Sequence, residues 1–150
     1  MTNAFASIIT AVHLAALGQI ESGAHDAAVG RAGEVSRFQI MPAVAAKEIR
    51  DRNPAGGRLP AYWQLRPDLA AEVARGIWEK RVATFRLVYR RDPSPVEIYL
   101  CWHRPGRVLN PRPRELERAT RFADLLQSLG GAAAPPYQHD QKATSHGIGK

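Results

Sequence analysis

The chain has 150 residues, a formal net charge of +7 and a single cysteine, Cys101. That length suits one domain with a sizeable core, and one cysteine excludes a scaffold stapled by intrachain disulfides. The positive charge favours polyanionic partners in general, whether nucleic acid, anionic lipid or an acidic cell-wall polymer, and selects none of them.

The first element is a helix predicted over Ala4–Ser22, with Phe5, Ile8, Ile9, Val12, Ala16 and Ile20 at three- and four-residue steps on one face. Gly23 is placed to end it in a left-handed conformation. Phe5–Leu17 is apolar and Ala-rich, but Met1–Ala4 carries no positive charge, and the segment runs on into the helix itself. No secretion signal is therefore read, and no run is long and apolar enough for a transmembrane span. Glu21, in the last turn, faces the negative end of the helix dipole and follows the apolar residues Leu14 and Leu17. Both features disfavour its charged form, and a glutamate held partly protonated can act as a general acid.

A loop follows, in which Gly30 and Gly33 meet positive φ or close backbone approach. Ser36–Ile40 alternates enough to predict a short strand or hairpin arm. Pro42 opens a helix over 42–52 that Asn53-Pro54-Ala55-Gly56-Gly57 breaks. The connector to Arg66 carries Tyr62 and Trp63, suited either to stacking on sugar faces or to packing beneath the loop. A long helix is predicted over 67–90. Ser94-Pro95-Val96-Glu97 reads as N-cap, Pro at N1 and capping-box Glu, and it opens a short helix ending at Trp102-His103 that buries Cys101. The last helix runs over 113–129, its stripe of Arg114, Arg118 and Arg121 read as a solvated face. The domain is thus 1–130. Residues 131–150, rich in Ala, Pro, Gln, His, Ser and Gly, form a flexible tail. No metal-binding spacing of Cys or His, phosphate loop or nucleophile elbow is present.

Two segments resemble the lytic transglycosylases and goose-type lysozymes of the lysozyme-like superfamily. In Glu21-Ser22, the glycine loop and Phe38-Gln39-Ile40-Met41-Pro42, the chain follows that family's opening motif of a catalytic Glu-Ser at a helix end, a Gly-containing loop and an aromatic-Gln-Ile-Met-Pro run. Trp102-His103-Arg104-Pro105-Gly106-Arg107-Val108 is similar to its Tyr-Asn-x-Gly-Pro-x-x-Val segment, with Trp102 for Tyr, His103 for Asn and one residue fewer. The resemblance implies a mainly α, lysozyme-like fold with a small β element after the first helix. It also implies a peptidoglycan substrate and cleavage of the β-1,4 bond between N-acetylmuramic acid and N-acetylglucosamine.

In that reading Glu21 is the catalytic residue, and Ser22, Gln39, Tyr99 and His103 bind substrate or support it. A single Glu usually suffices in the family, and Asp26 and Glu34 are the candidates for a second carboxylate. No metal or organic cofactor is implied. The expected partner is the glycan strand, the expected state a monomer and the expected place of action the cell wall. The rival readings are a hydrolytic lysozyme on the same bond, a catalytically weak glycan-binding module and, last, a basic nucleic-acid binder using Arg104–Arg121.

Overall fold

Prolines and caps set the helix starts. In a computed structural model, which describes residues 7–130, five α-helices follow in order: α1 (Ala11–Ser22), α2 (Pro42–Arg52), α3 (Pro67–Tyr89), α4 (Pro95–His103) and α5 (Pro113–Ser128). Four of them begin on the proline that the sequence supplies, whose fixed φ and missing N–H suit the first turn. Single 3-10 turns at Trp63–Leu65 and Pro105–Arg107 fill the connections before α3 and after α4. The fold is mainly helical, and among the described residues no helix is long and apolar enough to cross a membrane. The expected tail over 131–150 and the first residues of the expected N-terminal helix, Ala4 and Phe5, lie outside the described residues.

Helix α1 starts later than the apolar periodicity predicted. Residues 7–10 are not helical, and Thr10 takes the N-cap position in an extended conformation. The Nδ1 of His13 accepts from the Thr10 N–H at 3.3 Å and lies 2.9 Å from its hydroxyl, so the imidazole closes the helix start from the third position. Ile9 is buried all the same, as the strand-like lead-in folds onto the core. The other end is as expected. Gly23 is left-handed (φ 65°), its N–H reaches the Gln19 carbonyl at 3.0 Å, and the Ala24 N–H reaches back to Gly18 at 2.9 Å.

The predicted strand over Ser36–Ile40 is instead a tight turn. Val35 and Ile40 exchange both backbone hydrogen bonds at 2.9 Å, and Val29 bridges to Val35 on its other side. Between them Ser36 and Gln39 adopt positive φ, 70° and 51°. The β element is thus two isolated antiparallel bridges around a turn.

The core centres on Trp78 of α3, which is fully buried. Its indole N–H donates to the Ile98 carbonyl of α4 at 2.8 Å, and its ring lies edge-on to Trp102 of α4 and to Phe122 of α5, each at 5.8 Å. His13 of α1 meets the same ring at 6.2 Å. One tryptophan therefore ties four helices by packing and a satisfied hydrogen bond. Trp63, in the first 3-10 turn, is buried, while Tyr62 projects into solvent. Cys101 is buried, and burial pushes its thiol up to about 12, so it is an inert part of the core.

Two buried carboxylates brace this core. Glu48 of α2 accepts from Arg52 Nε and from Lys80 Nζ of α3, both at 2.6 Å. Glu97 of α4 is gripped by the Arg91 fork at 2.7 and 2.6 Å and completes a capping box with Ser94. Gly76 of α3 leaves the room that the α2 pair occupies: a Cβ there would fall on the Arg52 guanidinium and the Glu48 carboxylate. Alanine is the better helix former by about 1 kcal/mol, but overpacking costs about 1–3 kcal/mol, here with the buried Glu48 carboxylate and its partly exposed Arg52 partner to displace. Gly76→Ala is expected to lower stability in urea unfolding; a stabilised variant would show that α2 yields freely.

Candidate active site

A cleft of about 480 Å³ opens at the carboxyl end of α1. Its walls come from the loop after α1 (Gly30, Arg31, Glu34, Gln39), from α3 (Ile77, Arg81), from the end of α4 (Trp102, His103, Arg104) and from α5 (Arg118). Glu21 stands on it with a side chain only 7% exposed.

Three helices hold that carboxyl group. Glu21 ends α1. From α4, the Tyr99 hydroxyl donates to Glu21 Oε1 at 2.7 Å. From α5, Arg118 donates to the Ile20 carbonyl at 3.2 Å and to Glu21 Oε2 at 3.4 Å. Tyr99 is fully buried and packs on Phe122 with ring centroids 5.4 Å apart, so its hydroxyl has little freedom. His103, one helical turn on, stacks on Tyr99 at 5.5 Å and brings Nδ1 to 3.9 Å from Glu21 Oε1.

The electrostatics are opposed. Burial raises the Glu21 pKa above the ordinary glutamate value, and the Glu34 charge adds to the rise; the Tyr99 hydrogen bond, Arg118 and Arg104 pull it down, and burial prevails. The Tyr99 hydroxyl is pushed well above its usual range by burial and by Glu21, so it stays a donor. His103 is pushed down to about 4 by burial and by the charges of Arg118 and Arg104. It is neutral at neutral pH and forms no ion pair with Glu21.

The residues singled out in the sequence divide cleanly. Glu21, Glu34, Gln39 and His103 line the cleft together. Gln39 donates to the Ser36 carbonyl at 3.0 Å, and Glu34 accepts from the Ala32 N–H at 3.0 Å rather than from a neighbouring arginine. Gly30 is what lets these two approach, because a Cβ there would collide with the ends of both side chains. Tyr99 reaches the site from beneath, through Glu21, and does not line the cleft. Neither does Ser22. Its hydroxyl donates to the Arg37 carbonyl at 2.8 Å and accepts from the His25 N–H at 3.0 Å, which fixes the loop to the helix end. Asp26 stands apart from the cleft, held by the Arg37 fork at 2.5 and 2.9 Å, and that bond keeps its pKa below the usual carboxylate range. Glu34 is thus the second carboxylate that the fold brings to Glu21.

Arg118 was missed by reading its stripe as a solvated face; Arg114 and Arg121 are indeed exposed. The signal was position: Arg118 lies four residues before the buried Phe122 and one before the buried Ala119, on the border of the apolar face. No family model, no curated protein and no solved structure matches the chain.

In a carboxyl-carbon NMR titration, Tyr99→Phe is expected to raise the Glu21 pKa further and Glu34→Gln to lower it; shifts of the opposite sign would refute this balance. Because the folded-state pKa of Glu21 is raised, its contribution to stability is present at low pH and is lost as pH rises through the folded value. Glu21→Gln is therefore expected to melt above wild type at pH 7, with the gap closing as the solution is acidified below the ordinary glutamate range.

Proposed function

We propose that the protein is a peptidoglycan lytic transglycosylase that cleaves the β-1,4 bond between N-acetylmuramic acid and N-acetylglucosamine. The observation that carries this reading is a single nearly buried carboxyl group, raised in pKa, opening onto a cleft at the helix end where the Glu-Ser motif lies. The resemblance of the two motif segments supplies the substrate class.

In the proposed reaction, protonated Glu21 donates to the glycosidic oxygen as the bond to C1 of the muramoyl residue breaks. The resulting carboxylate is stabilised by the Tyr99 hydroxyl and by Arg118. It then takes the proton of the muramoyl 6-hydroxyl as that oxygen attacks C1, which closes a 1,6-anhydro ring and returns Glu21 to its acid form. Both half-steps need a carboxyl group that can give and take a proton; the rise that burial imposes on Glu21, opposed by Tyr99 and Arg118, supports that role. Gln39 and neutral His103 offer amide and imidazole groups to the substrate's acetamido substituent.

Glu34 supports a second reading, a hydrolase in which it directs water to C1, because it shares the cleft and its charge acts on Glu21. Digestion of purified peptidoglycan with mass spectrometry of the released fragments separates the two. The expected products are anhydro-ended, and Glu21→Gln is expected to lose at least about 100-fold in rate, the lower range for a general acid. Products one water heavier, lost in Glu34→Gln, would make the enzyme a muramidase. Unchanged activity in Glu21→Gln would overturn both readings.

A further inference from the structure

The cleft is lined by four guanidinium groups, Arg31, Arg81, Arg104 and Arg118, against two carboxylates, Glu21 and Glu34. Two of the four have a carboxylate partner: Arg118 has Glu21 and Arg104 has Glu115, at 3.4 and 3.3 Å. Arg31 and Arg81 have none among the described residues. Arg81 is the more telling. It is partly buried on α3, donates to the Trp102 carbonyl at the end of α4 and holds its guanidinium 5.5 Å from the centre of the Trp102 ring. Burial lowers its pKa. A cation taken out of water without a counter-charge is costly, and a carbonyl dipole and a ring face offset only part of that cost. The remaining donors of its fork are available to an anion in the cleft. Arg104, two residues beyond Trp102, adds a second cation at the same helix end, and exposed Arg31 adds one from the loop.

We propose that Arg81 and Arg104, with Arg31, bind a carboxylate carried by the glycan next to the scissile bond, an inference that rests on the reading of the site as a glycan-cleaving cleft. Neutral sugars give no use for the two cations, Arg31 and Arg81, that lack a carboxylate partner among the described residues. Close to the sugar ring, muramoyl strands offer a carboxylate from one of two sources: the free 3-O-lactyl group of peptide-free strands, or the free carboxylate of a glutamate in the attached peptide. Guanidinium forks pair with either in the same bidentate manner.

The test uses the full chain carrying Glu21→Gln, which leaves the ligand intact, and calorimetric binding of four hexasaccharide ligands. These are chitohexaose, peptide-free alternating N-acetylglucosamine–N-acetylmuramic acid, and the peptide-bearing form with its glutamate carboxylate free or amidated. A carboxylated ligand is expected to bind about tenfold more tightly than chitohexaose, as a hydrogen-bonded charge pair provides, and that advantage is expected to shrink as salt is raised. Arg31→Gln and Arg104→Gln are each expected to reduce that advantage several-fold. Among the described residues Arg31 makes no side-chain hydrogen bond or ion pair, so its variant reports on the ligand even if Arg81→Met disturbs α4. Preference for the peptide-free ligand assigns the lactyl source, and preference for free over amidated glutamate assigns the peptide; both sustain the subsite. Equal affinity for chitohexaose and every carboxylated ligand, or an advantage untouched by Arg31→Gln and Arg104→Gln, would overturn it while sparing the catalytic reading. Failure of all the hexasaccharides to bind would overturn the subsite together with the proposed function.

Discussion

The hydrogen bond from Tyr99 to Glu21 joins residues 78 positions apart and fixes where α1 ends relative to α4. Everything beneath it serves to hold that donor still. Phe122 backs the tyrosine ring, Trp78 backs Phe122, and the Trp78 N–H locks onto the α4 backbone. Arg118 adds the third helix by grasping both the carboxylate and the last turn of α1. The cleft is therefore a by-product of core packing: three helix segments meet at one acidic group, and the loop after α1 covers one side of it.

The other buried carboxylates show what makes Glu21 different. Glu97 receives two guanidinium bonds and a backbone N–H at 2.8 Å, and its pKa falls despite burial. Such a group is settled as an anion and serves only to join its neighbours. Glu21 receives one hydroxyl at good distance and one guanidinium at 3.4 Å, and its pKa rises. The contrast lies in how completely the anion is satisfied, since both side chains are well buried. Incomplete satisfaction of a buried carboxyl group in a cleft is the reason Glu21, and not Glu97, is the candidate for a functional role.

Much of this was legible in the sequence because it rests on short-range chemistry. Pro42, Pro67, Pro95 and Pro113 each start a helix by the same local rule, and Ser94 with Glu97 spells out its own cap. Gly30 and Gly33 divide the two uses expected of them, close approach at the first and positive φ (89°) at the second. What was hidden depends on distant partners. Ser36 and Gln39 take left-handed conformations that neither residue prefers, and they do so where buried Ser36 is surrounded by the folded core. Thr10 ends the helical register because a histidine closes the cap, a use of that side chain with no common pattern. Arg118 carries a charge that reads as solvent-facing until α5 is set against α1.

Ser22 has a consequence of another kind. Its one hydroxyl ties the end of α1 to the Arg37 carbonyl, fifteen residues downstream, and the Asp26–Arg37 pair repeats the tie nearby. The segment between is a closed loop whose two ends meet at fixed points. Lengthening such a loop adds little closure entropy, about 0.6 kcal/mol per doubling, and the anchors hold the end of α1 in place. The wall carrying Arg31 and Glu34 is thus the part of the cleft free to diversify: insertions there would remould the shape and charge of the cleft while Glu21 and its three supporting helices stayed as they are.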